Sequence, residues 1–441
     1  MFKTLINAFK IKEVRSRILF TLLMLIVIRL GCQLPAPGID KVKLADFFSQ
    51  YSSNGAFNFL DAFTGGSLTS MSVFALNITP YITSSIIMQL LTIAIPKLEE
   101  MNKEENGRKV IASITRYVTV ALALIESTAM AISFANKGFL DPSTNKVLNI
   151  ISIVLALTAG SAFLMWIGER ITEKGIGNGS SIVLVINIIS RIPADVKSLF
   201  TQFVSSADNV GKGVVSGIII IAVIIGTIIL VVLLNGGMRK IPVQYAKKVQ
   251  GNRMMGGNNS NIPLRINTAG VIPIIFASSM MQFPVVICQF LGADKGTGVG
   301  SKILKGLQSN NWFNKEEPIY TIGLIVYIVL VVFFAYFYTA ITFNPMLISD
   351  NMKKSGGFIP GIRPGKPTTE YLNSVLNYII FIGAVGIILV AIIPIFFSGM
   401  FGANVSFGGT SLIIIVSVVL ETMKQVETMM LERNYKGFLN S

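Results

Sequence analysis

Few side chains in the apolar parts of this 441-residue sequence could carry chemistry. Glu126 is the only acidic residue near the middle of a long apolar segment, where a carboxylate normally faces the protein interior and a polar partner. A structural contact and a functional role both remain open for it. The sequence has no histidine and only two cysteines, Cys32 and Cys288, which excludes an imidazole triad, an imidazole proton relay and a cysteine-rich metal cluster.

Serine-containing segments offer no better route to catalysis. GNGSS (177–181) and GGTS (408–411) have no accompanying base or carboxylate pair in the apolar segments that could activate a hydroxyl. A G-x-x-x-x-G-K-[ST] loop for nucleotide phosphates is also absent. A small-solute transporter would be expected to bury several ionisable groups, so one glutamate without histidine argues against that class. We therefore predict a protein that is not an enzyme, binds no cofactor and takes its energy from a partner or the membrane potential.

The elements that position these residues must be membrane-spanning helices. Hydrophobic residues make up 52% of the sequence and charged residues only 13%, whereas soluble domains carry about 25% charged residues. The apolar runs are too long for barrel strands, and backbone groups inside a bilayer must find their hydrogen bonds within helices. Runs of roughly 20 residues predict ten spans, near residues 18–38, 74–95, 112–135, 149–168, 177–192, 214–234, 268–291, 319–342, 373–397 and 409–427.

The basic residues predict the orientation of these spans. Of the 37 lysine and arginine residues, 25 fall on the side of both termini, 11 fall on the opposite side and Arg29 lies in the first span. Because positive charge accumulates on the cytoplasmic side, both termini are predicted to be cytoplasmic. The basic start precedes an apolar run without an A-x-A-like cleavage site, which predicts a retained first span.

The apolar run from Ala62 to Pro96 is interrupted. It contains no charged residue, yet glycines, Asn77 and Pro80 break a continuous helix, and residues 67–72 read SLTSMS. This pattern predicts a short half-helix at about 59–72, a break and then a full span. So polar a segment is tolerated at membrane depth only inside the protein or beside a water-filled cavity.

The loop from Arg239 to Arg265 carries six cationic residues and no acidic one. The positive-inside rule accounts for part of this excess, and the remainder indicates an acidic partner such as RNA phosphate or an acidic protein face. Tyr245 is its only aromatic residue, so base stacking is not supported. Electrostatic docking is the prediction that fits.

The sequence resembles the SecY family through six segments in the same order along the chain. These segments are IRLGCQLPAPGID, FTGGSLTSMSVFALNITPYITSSIIMQLLT, FLMWIGERITEKGIGNGSSI, NTAGVIPIIFASSM, FYTAITFNPMLISDNMKKSGGFIPGIRPGKPT and FGGTSLIIIVSVVLETMKQVETMM. The resemblance implies an all-α polytopic membrane protein with ten transmembrane helices in two five-helix inverted-repeat halves around a central pore. The halves would be residues 1–200 and 201–441, with cytoplasmic loops 235–266 and 343–371.

The resemblance also implies function and partners. Such a protein conducts unfolded secretory polypeptides across the plasma (inner) membrane and releases signal and transmembrane helices sideways into lipid. Its expected partners are the small subunit SecE, a SecG-like subunit, the SecA motor, the ribosome, signal peptides and unfolded preproteins, and the lipid bilayer. The loop motifs are similar to those of bacterial members.

Family motifs place a narrow apolar pore ring, which can gate by excluding water. The ring residues implied are Ile78, Ile82, Leu184, Ile275 and Ile414. The fifth span departs from the family pattern because Ser180 stands where another aliphatic ring residue is common. Leu184 is preferred here, and Ser180 stays open as the alternative register.

Three further sites follow from the resemblance. The implied plug, for which a purely structural hairpin is the alternative, includes Phe63, Thr64, Gly65, Gly66 and Ser67. The implied lateral gate between the second and seventh spans includes Thr83, Glu126, Ser279 and Gln282, and our hypothesis is that a buried polar cluster of Thr83, Glu126 and Gln282 holds it shut. The implied docking residues for SecA or the ribosome, for which ordinary solvated loop cations are the alternative, are Arg239, Lys240, Lys247, Lys248, Arg253 and Arg363.

Overall fold

The computed structural model describes ten long helices, one at each predicted span. It describes residues 8–40, 43–44, 64–142, 144–205, 210–245, 248–250, 253–255, 259–290, 299–308, 312, 318–401 and 409–439. The long helices are α1 (Lys12–Gly31), α2 (Thr79–Ala94), α4 (Glu105–Lys137), α5 (Lys146–Lys174), α6 (Gly179–Leu199), α7 (Val210–Gly236), α8 (Ile272–Phe290), α10 (Thr321–Thr342), α12 (Lys366–Phe401) and α13 (Gly409–Leu439). The shorter elements are α3 (Pro96–Lys103), a π-helical turn (Phe200–Ser205), β1 (Met238–Tyr245), β2 (Lys248–Gln250), β3 (Arg253–Met255), β4 (Asn259–Arg265), α9 (Val299–Leu307), a 3₁₀ turn (Pro318–Tyr320), α11 (Pro345–Lys354) and β5 (Gly357–Phe358).

Length and apolar composition alone qualify only part of this set as membrane spans. Within the described residues, five helical stretches qualify: Asn106–Lys137, Lys146–Lys174, Val214–Gly236, Thr321–Lys354 and Lys366–Ile393. A sixth span qualifies if α2 and α3, bent by 104° at their junction, are taken together. The others are interrupted or carry charge, as in α1 with its several basic residues.

The first helix ends earlier than predicted, at Gly31 instead of residue 38. The chain beyond it pairs with the interrupted segment, since the Ala36 N–H donates to the Met71 carbonyl at 2.8 Å and the Val73 N–H donates to the Leu34 carbonyl at 2.9 Å. Two prolines, Pro35 and Pro37, disfavour continuation of the helix through this stretch.

The interrupted segment differs in part from the prediction. Thr64 is helical, but residues 65–78 form turns, so the half-helix expected through residue 72 is not observed over 65–72. Met71 and Asn77 have positive φ of 43° and 54°, a conformation incompatible with a continuing right-handed helix. The break before Pro80 is confirmed, because α2 begins at Thr79 with the proline in its first turn, where its missing N–H costs no helical bond.

A small β-sheet joins the two long loops of the second half. The predicted all-α fold did not include this sheet. β1 and β4 pair antiparallel, with Met238 opposite Arg265, and β5 adds to the other edge of β1. Ile241 and Val243 alternate on the buried face of β1 and pack in one apolar cluster with residues of α12. This period-2 alternation was the available sequence signal.

One large apolar cluster occupies the centre of the molecule and draws side chains from both five-helix sets. Across its middle, α8 contacts both α2 and α4, and α13 contacts α1 and α6. On the remaining side, the π-helical turn Phe200–Ser205 packs on α6 and α7 and connects the two sets. The two five-helix sets therefore meet along a seam where α8 contacts α2 and α4.

Candidate pore and gate

The five predicted ring residues meet in the central apolar cluster. Ile78, Leu184, Ile275 and Ile414 are buried members of it, and Ile82 is partly buried against it. They come from α6, α8, α13 and the start of α2, where the Ile82 N–H donates to the Ile78 carbonyl at 3.1 Å. Ile78 and Ile82 therefore lie one helical turn apart on one face. These five branched aliphatic side chains from four elements are the predicted constriction, and each belongs to the apolar cluster or packs against it.

A cavity of about 430 Å³ opens next to this constriction. Ile82, Leu184 and Ile275 line its apolar part, and Asn178 and Ser180 are among its polar lining residues. The Ser180 hydroxyl donates to the Asn178 side chain at 2.7 Å, whereas Leu184 is 3% exposed within the apolar cluster. Leu184 therefore lies in the apolar cluster, and Ser180 precedes it by one helical turn in α6.

Polar side chains hold the interrupted segment on the far side of the constriction. The Gly65 carbonyl accepts from Arg29 Nη1 at 3.3 Å and from Ser190 Oγ at 3.4 Å. Gly65 has a φ of +66°, and an added Cβ would lie 2.8 Å from Arg29 Nη1 and 2.9 Å from Asn187 Cα. Glycine is required at this position by both conformation and space.

The predicted plug residues Thr64, Gly65, Gly66 and Ser67 lie where Arg29 and Ser190 hold the chain. We name this position the plug seat, and three of the four residues pack closely in it. Thr64 is buried, Ser67 is fully buried and the Gly65 carbonyl is held as described. Phe63 lies outside the described residues. The Gly65 carbonyl is held by long hydrogen bonds, whereas the end of the segment pairs with the chain after α1 through the shorter Ala36–Met71 and Val73–Leu34 bonds.

A hydrogen-bonded set that we name the Asn187 cluster (Arg29, Asn77 and Asn187) supports the seat. Asn187 Nδ2 donates to Asn77 Oδ1 at 2.9 Å, and Arg29 Nη1 donates to Asn187 Oδ1 at 3.5 Å. Both asparagines are buried. Sequence reasoning missed Asn187, although a lone amide within the apolar stretch VLVINII was a usable signal.

The predicted gate residues lie on α2, α4 and α8. Thr83 Oγ1 and Glu126 Oε1 are buried atoms without a hydrogen-bond partner in the described part of the chain. Ser279 lies half-buried on α8, and the side chain of Gln282 lies outside the described residues. Helix α2 is tied to α4 by the Ser84 and Thr119 hydroxyls at 2.5 Å.

A second cavity of about 690 Å³ lies along the seam between α2, α3 and α4 on one side and α10 on the other. Met88, Ile93, Ile111, Phe337 and Ile341 contribute its apolar walls. Its lining also includes charged residues of α3 and of the start of α4, as well as Gln89, which lines the first cavity too. The two cavities therefore share a border, so the space beside the constriction continues toward the seam.

The predicted docking residues lie on the sheet and the neighbouring turn. Arg239 and Lys240 are exposed on β1, and Arg363 is exposed in the turn between β5 and α12. Pairing of β5 with β1 brings the two loops together. Lys248 and Arg253 are on β2 and β3, but their side chains and the whole of Lys247 lie outside the described residues.

Comparison with known proteins agrees with this architecture. The SecY family matches residues 72–423. A protein translocase subunit SecY from Streptomyces galbus is 42% identical over 446 residues, covering 98% of each chain. A structure entitled "The structure of a protein conducting channel" has a TM-score of 0.65 at 17% identity and covers 94% of this chain and 92% of its own.

A second structural relative, Sec61 in a canine ribosome-channel complex from the endoplasmic reticulum, has a TM-score of 0.62 at 17% identity, covering 94% of this chain and 92% of its own. At such identities the structural likeness concerns the fold, and the family assignment rests on the sequence matches. The ten helices, the central apolar constriction and the full-length match to translocase subunits lead to one conclusion. The chain belongs to the SecY family and is a non-enzymatic channel subunit of the Sec translocon.

Proposed function

We propose that this chain conducts unfolded secretory polypeptides through the constriction formed by Ile78, Ile82, Leu184, Ile275 and Ile414. The observation that carries the proposal is the meeting of these five residues in one apolar cluster beside an open polar cavity. A channel for chains of every composition cannot depend on specific hydrogen bonds. An aliphatic ring excludes water and ions by dewetting and yields around a passing polypeptide.

The resting channel is closed from the other side by the plug, for which the seat of Gly65 and its neighbours is the physical basis. Its hydrogen bonds to Arg29 and Ser190 are 3.3 Å and 3.4 Å long, at the weak end of the usual range. A segment held in this way stays in place at rest and leaves at modest free-energy cost. Small residues such as Gly66 and Ser67 ease that movement.

Apolar signal and transmembrane helices leave sideways between α2 and α4 on one side and α8 and α10 on the other. The cavity along this seam supports the route. The unpartnered oxygens of Thr83 and Glu126 are a second argument, because a buried polar atom without a partner destabilises the closed arrangement. A seam weakened in this way opens for a sufficiently apolar helix.

A cytoplasmic partner docks on the surface formed by the sheet of β1, β4 and β5, with its exposed Arg239 and Lys240, and by the turn that contains Arg363. A ribosome is the partner named for the canine relative, and SecA is the motor expected for a bacterial-type chain. SecE and a SecG-like subunit complete the complex. This assignment places both termini in the cytoplasm and the protein in the plasma membrane.

The test is reconstitution of the full chain with SecE and SecA in lipid vesicles. ATP-dependent protection of a secretory precursor from external protease is the expected result. Ile275→Ser should raise resting ion leak, because a hydroxyl admits water to the constriction. Met280→Ser, at a residue 57% exposed on the same helix, should not. Uptake of a small solute without precursor protection would contradict the proposal.

A further inference from the structure

A second hydrogen-bonded set joins three elements of the C-terminal five helices. Asn267 Nδ2 donates to Asn235 Oδ1 at 2.8 Å, and Asn235 Nδ2 donates to Ser417 Oγ at 2.7 Å. Lys424 Nζ donates to the Asn235 carbonyl at 3.3 Å. We name Asn235, Asn267 and Ser417 the Asn235 cluster. It ties the end of α7 and the segment before α8 to α13.

The Asn235 cluster lies at the base of the β1–β4 hairpin. The Ile266 N–H donates to the Gly237 carbonyl at 2.9 Å, closing the hairpin one residue from Asn267 and two residues from Asn235. On the other side α12 approaches closely, because a Cβ on Gly383 would lie 2.4 Å from the Ile266 carbonyl oxygen. The hairpin therefore leaves the helical body through a tightly packed junction.

The two clusters join equivalent positions in the two five-helix sets. In the N-terminal set, the Asn187 cluster links the end of the first span, the segment before the second and the middle of the fifth. In the C-terminal set, the Asn235 cluster links the end of the sixth span, the segment before the seventh and the tenth. Because successive spans alternate in direction, the two clusters lie on opposite sides of the membrane.

Two short connections run from the Asn235 cluster to the constriction. Asn267 precedes α8 by five residues, and Ile275 lies in the first turn of that helix. Ser417 follows Ile414 on α13 by three residues, so both lie on one helix face. A displacement of the cluster would reach Ile414 through the helical backbone of α13, and Ile275 through the turn of residues 268–271 and the start of α8.

We propose that the Asn235 cluster is the joint that transmits a load on the basic hairpin to α8, so that Asn235 and Asn267 are positioning residues for channel opening. This inference rests on the proposed function, since it takes the hairpin as a docking surface and α8 as a gate helix. In the intact joint, a motor bound to the hairpin moves the start of α8. Without the asparagine bonds, the motor still binds, but its movement displaces the hairpin without shifting the start of α8.

The experiment compares motor binding with motor-driven translocation for the full chain in its reconstituted complex. Asn267→Ala should leave SecA affinity and resting dye retention unchanged and reduce ATP-dependent precursor protection about tenfold. A tenfold reduction corresponds to ~1.4 kcal/mol, a size typical of one lost buried hydrogen bond. Asn235→Ala combined with Asn267→Ala should reduce protection no further than either change alone, because one joint is lost in each case.

Two variants serve as controls for loss of folding. Asn235→Asp keeps an acceptor for Asn267 and for the Ser417 hydroxyl, and should retain protection. Asn149→Ala removes a buried amide that donates to the Asp141 carbonyl at 2.9 Å, far from the joint in the chain, and should also retain it. If Asn267→Ala fails to assemble, Ser417→Ala tests the same joint with a smaller change.

Failure of this inference and failure of the proposed function give different results. The inference about the Asn235 cluster would be overturned if assembled Asn267→Ala or Ser417→Ala gave full precursor protection. It would also be overturned if these variants lost SecA binding in parallel with precursor protection. Neither result would contradict the proposed channel function. Absence of precursor protection with the unchanged chain would overturn the proposed function and the joint with it.

Discussion

Replacing Gly65 by alanine tests the plug seat with an internal control one residue away. Gly65 and Gly66 both have positive φ, of 66° and 86°. Alanine in this conformation costs about 1–2 kcal/mol at either position. Only at Gly65 does the new methyl group collide, because it would lie 2.8 Å from Arg29 Nη1, whereas the nearest atoms at Gly66 are 4.0 Å away, on Arg191.

The difference between the two variants therefore reports the collisions with Arg29 and with the Asn187 backbone, and the Arg29 contact gives the lower bound of that difference. To admit the methyl group, the guanidinium must give up its 3.3 Å hydrogen bond to the Gly65 carbonyl. A charged hydrogen bond of this length is worth ~1–2 kcal/mol. The closed seat should thus weaken about fivefold to thirtyfold more for Gly65→Ala than for Gly66→Ala.

The assay is single-channel conductance of the resting complex in planar bilayers. Gly65→Ala should show a larger fraction of open time than Gly66→Ala, and both should exceed the unchanged chain. Gly138→Ala, which shares a positive φ of 75° with no atom near the new methyl group, should behave like the unchanged chain. Equal open fractions for the Gly65 and Gly66 variants would refute the reasoning.

Three further predictions follow from the same geometry. Asn187→Leu leaves buried amide atoms of its cluster without partners, at a cost of ~1–3 kcal/mol, and should raise resting ion leak while Asn149→Leu does not; equal leak from both would contradict it. Glu126→Leu removes an unpartnered buried oxygen and stabilises the closed seam, so export of weakly hydrophobic signal sequences should fall in a precursor-protection assay, and unchanged export would count against a gate role. Arg363→Ala should weaken SecA or ribosome binding most at low salt, because exposed charges are screened as ionic strength rises. Lys302→Ala on α9 should leave binding unchanged. A sedimentation assay in which the Lys302 variant binds more weakly than the Arg363 variant would exclude the turn as a docking site.

The helices and their order follow from local features of the sequence. Each predicted span coincides with a helix because long apolar runs leave the backbone no alternative inside a bilayer. The break before α2 is equally local, since Pro80 and the glycines upstream dictate it wherever the chain lies. The family could also be recognised from ordered short motifs, which need no three-dimensional information.

What the sequence could not decide is how polar side chains pair across the fold. Asn77 and Asn187 are 110 positions apart and Asn235 and Ser417 are 182 apart, so no periodicity connects them. The same holds between α2 and α4, where the packing of the two helices pairs the Ser84 and Thr119 hydroxyls, a contact that the sequence did not indicate. The sequence by itself determined which segments enter the membrane, because hydrophobicity is a property of single residues and their neighbours. Only the tertiary structure decided which polar groups meet inside, because a hydrogen bond requires two atoms within about 3 Å and that distance is set by the packing of helices remote in sequence.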